Sequence, residues 1–108
     1  MSFFNSDIVR KEMEEITKLQ EIVFDNIFKF SFMSIDDKKN HIDILEKLLD
    51  KQKILYARLS LSDDPEAKMM KDNIINSAMQ MGLSKDVDIN ILFNKMTEVI
   101  KMMKSHIN

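Results

Sequence analysis

The sequence predicts an all-α protein of four helices, two long ones forming an antiparallel hairpin and two shorter ones following. Three observations predict it. A chain of 108 residues with one glycine and one proline has almost no turn chemistry for β-hairpins. Its apolar residues recur at spacings of three and four along every long stretch, the period of one helix face. Residues that cap helices stand where those stripes begin. At 44% hydrophobic and 31% charged the composition is that of an ordered soluble chain, and residues 1–108 form a single helical domain with one modest core.

The first helix is expected to start at Asn5 or Ser6, whose side chain can accept from an orphan amide while Asp7 suits the positive end of the helix dipole. Phe4 then stands where a hydrophobic staple would pack against Val9. Val9, Met13, Ile16, Val23, Ile27 and Phe30 form its apolar stripe. From Ile22 to Phe32 the pattern broadens to IVFDNIFKFSF, with four of the seven phenylalanines in eleven residues. These rings are expected to close the end of a bundle or an intersubunit core. The functional reading is an exposed aromatic patch that docks another protein or a membrane surface.

Ser34 followed by Asp36 and Asp37 marks the start of the second helix, which is expected to run to about Ser60. Ile42, Leu45, Leu49, Tyr56 and Leu59 make one stripe, and Ile44, Leu48 and Leu55 make a second beside it. Together they are wider than the roughly 100° face of a helix that touches one layer, so this helix should be packed from two sides. About 27 residues at 1.5 Å each give a rod near 40 Å, longer than a compact bundle of this size needs. The double stripe and the surplus phenylalanines predict a homodimer.

Asp64 caps the third helix and Pro65 occupies its first position, where a missing N–H does no harm. Met69, Met70, Ile74, Ala78 and Met81 form its stripe, and Gly82 is placed to end it in the left-handed conformation. Ser84 recaps the chain. Ile89, Leu92, Phe93, Met96, Val99, Ile100 and Met103 give the fourth helix its face.

The opening FFNSDIV from Phe3 to Val9, the stretch DKQKILYARLSLSDD from Asp50 to Asp64, and the Gly82, Leu83, Ser84 break resemble a small domain-of-unknown-function family, numbered eighteen twenty-five, found mainly in cyanobacteria and their phages. The matching residues are Phe3, Phe4, Ser6, Ile8, Val9, Ile54, Arg58, Leu61, Ser62, Asp64 and Gly82. Relatives carry glycines between the first two helices where this chain has Ile27 and Ser31, so the first helix is expected to run further or to break differently. The resemblance implies fold and lineage, and no activity.

Composition narrows function mainly by exclusion. The net charge is −2, spread evenly as 10 basic against 11 acidic residues up to Ser60 and 6 against 7 beyond. No clustered Lys and Arg are present to neutralise phosphates, so direct nucleic-acid binding is not expected. The absence of cysteine removes disulfides, thiolate zinc sites and cysteine nucleophiles. No signal peptide and no apolar run of about 18 residues is present, which predicts a cytoplasmic protein and makes a membrane partner unexpected.

Residue patterns that imitate chemical sites are better explained by helix structure. Asp37 and His41 at i, i+4 could offer a metal two ligands but lack a third, and are expected to be an exposed helix pair. Asp86, Asp88 and Asn90 echo the start of a calcium loop, which fails at Ile91 and Thr97. Asp63, Asp64 and Glu66 are accounted for by capping. With one glycine there is no phosphate-binding loop. No catalytic residue, metal, cofactor or small-molecule substrate is therefore expected, and enzyme is the weaker class.

Arg58 is expected to pin the turn after the second helix through Asp63 and Asp64, with contact to a partner as its functional alternative. Seven of the ten methionines lie in the last two helices and should fill the core or, as the alternative, line an adaptable groove. The resulting expectation is a non-enzymatic regulatory or adaptor protein that binds itself and an unknown host protein, with Phe3, Phe4, Phe24, Phe28, Phe32 and Arg58 as candidate contact residues. The alternatives are an accessory factor of a nucleic-acid or transcription complex, and a membrane-surface binder through the Phe-rich end of the first helix.

Overall fold

A computed structural model of the chain describes residues 3–80, 82 and 89–107. Among the described residues there are four α-helices and no strand: α1 (Asp7–Ile27), α2 (Ile35–Leu61), α3 (Pro65–Gln80) and α4 (Ile89–Ile107). Short 3-10 turns cover Phe3–Asn5 and Phe30–Phe32. At 19 residues α4 is nearly as long as α1 at 21.

The helix ends follow local chemistry. Ser6 Oγ accepts from the Val9 amide at 3.5 Å and Ser34 Oγ from the Asp37 amide at 3.1 Å, each satisfying an orphan donor of the first turn. Asp64 Oδ1 accepts from the Glu66 amide at 2.9 Å and starts α3 at Pro65. Gly82 has φ +101 and its N–H donates to the Met79 carbonyl at 3.0 Å, the left-handed stop that only glycine adopts without strain. α1 ends at Ile27, with the 3-10 turn of Phe30–Phe32 taking the chain round to α2. Ser84 and its proposed cap lie outside the described residues.

Register comes from ion pairs and hydrogen bonds between helices. Glu12 pairs with Arg58 and Glu15 with Lys51, so α1 runs antiparallel to α2. Lys53 Nζ donates to Thr97 Oγ1 at 3.3 Å and Lys104 pairs with Glu46, so α4 is antiparallel to α2 as well. α1 and α4 therefore flank α2 and run in the same direction.

As the double stripe predicts, α2 is packed from two sides. Leu48, Leu55 and Leu59 enter a cluster with Val9 and Ile16 of α1 and Ala67 of α3. Ile42 and Leu49 enter a second with Ile89, Phe93 and Ile100 of α4. Leu59 belongs to the α1 side, a correction to the stripe expected for it. Eleven residues separate it from Leu48, about three whole turns, so the two share a face. Phe4 packs against the cluster that holds Val9, as the staple requires.

His41 is a second correction. Far from forming an exposed pair with Asp37, it is 4% exposed, with Phe30 folded onto it at 5.3 Å between ring centroids. Its Nδ1 is buried without a hydrogen-bond partner. The 3-10 turn after α1 causes this by carrying Phe30 back over the first turns of α2, with Lys38 Nζ 5.4 Å from the same ring.

Burial pushes the His41 pKa below its ordinary value of 6.5 by disfavouring the imidazolium. The unfolded chain then takes up a proton that the folded chain refuses. Stability from this group is complete above about pH 6.5 and falls as pH drops below it. The Lys51 hydrogen bond holds Glu15 below its ordinary 4.5, so the stability it adds fades only in more acid solution. Thermal melting between about pH 7.5 and 5.5 should show Tm falling in the intact chain. In His41→Phe that slope should vanish while the loss below pH 4.5 remains; an unchanged slope would clear His41.

Candidate protein-binding surfaces

The six candidate contact residues lie in three separate places. Phe3 and Phe4 are partly buried against the α1–α2–α3 cluster, with their rings edge to face at 5.1 Å. The Phe3 N–H donates to Asp64 Oδ2, which ties the start of the chain to the start of α3. Phe24, Phe28 and Phe32 are exposed at the opposite end, Phe28 at 78% and Phe32 at 89%. Phe24 and Phe28 meet edge to face at 6.3 Å. Of the four clustered rings, only Phe30 turns inward within the chain.

Arg58 does not pair with Asp63 or Asp64. Its Nε lies 3.2 Å from Glu12 Oε2, an oxygen otherwise out of contact with solvent and without a hydrogen bond. The antiparallel crossing sets Glu12 beside the last turns of α2, while both Asp64 oxygens are taken by backbone amides. On the same side of α2 as Arg58, at i−4 and i+3, Ile54 and Leu61 are exposed, Leu61 at 86%, and Ile8 is exposed one turn before Glu12 on α1. The residues that carry the family resemblance thus divide in two. Phe3, Phe4, Ser6, Val9, Ser62, Asp64 and Gly82 shape the fold, Ser62 by accepting from the Asp64 amide at 3.1 Å, whereas Ile8, Ile54 and Leu61 surround the ion pair of Arg58 on the surface.

A third surface is a groove of the kind given above as the alternative role of the methionines, though its walls could not be placed from the sequence. An apolar groove of about 450 Å³ opens over α2, walled by Ile16 and Gln20 of α1, Ile74 and Ser77 of α3, and Phe93 and Met96 of α4, with Leu55 and Tyr56 in the floor. Gln52, Leu92 and Met96 continue it into a second stretch of about 370 Å³ that ends at Val99 and Met103. The α4 residues 92, 96, 99 and 103 follow three-and-four spacing, so the stripe looks the same whether or not another helix covers it. Met70, Met96 and Met103 line the groove, and Met69, Met79 and Met102 are exposed. Met81 lies outside the described residues.

Among the described residues no three His, Asp or Glu side chains come together as metal ligands. Asp86 and Asp88 lie outside the described residues. No described helix is long and apolar enough to cross a membrane.

The ion pair gives a specific expectation. Arg58 is half-exposed, so Arg58→Ala should cost roughly 0.5–1 kcal/mol, mostly for the Glu12 oxygen left unpaired. In double-mutant cycles read by thermal melting, Arg58 should couple to Glu12 and not to Asp64. Coupling to Asp64 instead would restore the turn-pinning role.

No curated protein and no solved structure matches this sequence. A family described as Domain of unknown function (DUF1825) matches residues 1–107, essentially the whole chain. The family resemblance carried by the opening FFNSDIV, the end of α2 and the Gly82 break is thereby established: the chain belongs to DUF1825.

Proposed function

We propose that this protein is a non-enzymatic regulatory or adaptor factor that works by binding other proteins, a second copy of itself among them. Its proposed setting is the cytoplasm of a cyanobacterium, or of one infected by a phage that encodes it. The observation that supports this reading most is the aromatic edge. Phe24, Phe28 and Phe32 present their rings to solvent within nine residues. Burying one such ring is worth about 1.5–3 kcal/mol, so three left outside favour a partner that covers them. Aromatic side chains, Phe among them, are also enriched in the buried centres of protein interfaces.

An enzymatic reading has less to rest on. The acids singled out at the start of α3 include Asp64, whose carboxylate holds the amides of Phe3 and Glu66. A nucleic-acid complex would have to be reached through another protein, since the charge is balanced along the chain.

The test compares the intact chain with Phe28→Ser/Phe32→Ser as bait in a host lysate, with captured proteins quantified by mass spectrometry. The two rings contribute little to the fold, so the variant should keep its helical content and Tm. Capture of a stoichiometric partner should fall at least about tenfold, the effect of truncating two interface anchors. An unchanged set of captured proteins would remove the aromatic edge from the interface. Sedimentation with anionic vesicles that disappears in the variant would assign the edge to a membrane surface instead.

A further inference from the structure

Among the described residues His41 is the one buried polar side chain, and the ring that covers it belongs to the turn that also carries the exposed Phe32. Resting on the protein-binding reading above, we infer that His41 is a proton-operated latch. When it takes up a proton it releases the Phe30 ring, the turn swings out, and Phe30 joins Phe24, Phe28 and Phe32 in a surface of four rings. The aromatic edge is then larger in mildly acid solution than at neutral pH.

The latch is a contact between two side chains. Phe30 lies on the imidazole at 5.3 Å between ring centroids, and the His41 Nδ1 beneath it has no partner. A neutral imidazole fits there because one of its nitrogens carries no proton, whereas an imidazolium needs acceptors for two N–H groups and solvation for its charge. The surroundings offer neither. The charged groups of the elements that meet at this end are Asp25 on α1, Lys29 before the turn, Asp37 and Lys38 one turn back on α2, and Lys104 and His106 at the end of α4. None of them forms an ion pair with His41; Lys104 is taken by Glu46, and burial alone accounts for the lowered His41 pKa. The face of the Phe30 ring could itself hold a cation, but Lys38 Nζ already stands 5.4 Å from its centroid.

The turn is the part that gives way. It is three residues long, and none of its side chains enters either core cluster. Ser31 and Phe32 are exposed and Phe30 is only partly buried, so little apolar surface is lost when the ring turns outward. Its hydrogen bonds are local, from the Phe32 amide to the Lys29 carbonyl at 2.9 Å and from the Met33 amide to the Phe30 carbonyl at 3.2 Å. His41 itself is not free to move, since its neighbour Ile42 is 1% exposed in the cluster shared with α4. Water therefore reaches the imidazole with least disruption through the turn, a small opening of the kind that precedes global unfolding. One proton limits the size of the effect. The closed form holds His41 below 6.5 and the open form returns it to about 6.5, so opening is favoured at most about tenfold more at pH 5.5 than at pH 7.5.

Hydrogen exchange at the Phe32 and Met33 amides, read by nuclear magnetic resonance and corrected for the intrinsic effect of pH, reports the opening directly. In the intact chain their protection should fall roughly three- to tenfold from pH 7.5 to 5.5 while helicity by circular dichroism stays constant. In His41→Phe it should be the same at both pH values. The converse variant, Phe30→Ala, should leave these amides unprotected throughout and return the His41 pKa to about 6.5, with His106 as the internal reference. Protection that does not change in the intact chain would overturn the inference, as would a change that persists in His41→Phe or a His41 pKa that Phe30→Ala leaves low. Helicity lost over the same range would assign the effect to unfolding and overturn it as well. If the amides respond as expected but Phe28→Ser/Phe32→Ser captures the same lysate proteins as the intact chain, the latch stands and the edge loses its binding role. If capture depends on Phe28 and Phe32 while protection ignores pH, the binding reading stands and the latch falls.

Discussion

Everything in this chain is arranged on α2, because that helix alone is buried on two sides. Leu48, Leu55 and Leu59 commit one face to α1 and α3, and Ile42 and Leu49 commit the other to α4. Both flanking helices run antiparallel to α2, and so they run parallel to each other. Parallel neighbours gain nothing from their dipoles, and α1 and α4 stand on either side of an apolar groove that α3 helps to wall. The two-sided burial thus explains both the cohesion of the molecule and the incompleteness of its surface.

Features set by a few adjacent residues were legible in the sequence. The caps at Ser6, Ser34 and Asp64, the proline start of α3 and the glycine stop at Gly82 are local chemistry, decided within about one turn of helix. Contacts between distant residues were not. Arg58 looked toward the acids nearest in sequence, but the antiparallel register gave it Glu12. His41 stands in a polar stretch of α2 and became buried only because the turn after α1 returns Phe30 to it. The stripe on α4 was correctly identified as apolar, yet its spacing carries no information about what covers it.

The three surfaces are well separated. The aromatic edge lies at the α1–α2 turn, the Ile54–Arg58–Leu61 face lies near the opposite end of α2, and the groove runs between them.

The two hydrophobic clusters have one further consequence, for motion within the folded state. Outside α2, Ile74 is the one described side chain packed against both. The cluster of α1, α2 and α3 can therefore stay intact while α4 lifts away, at the cost of the second cluster and of the surface pairs of Lys53 and Lys104. Native-state hydrogen exchange would then sort the amides into two cooperative units of different protection, with α4 opening first and the α1–α2 hairpin holding until global unfolding.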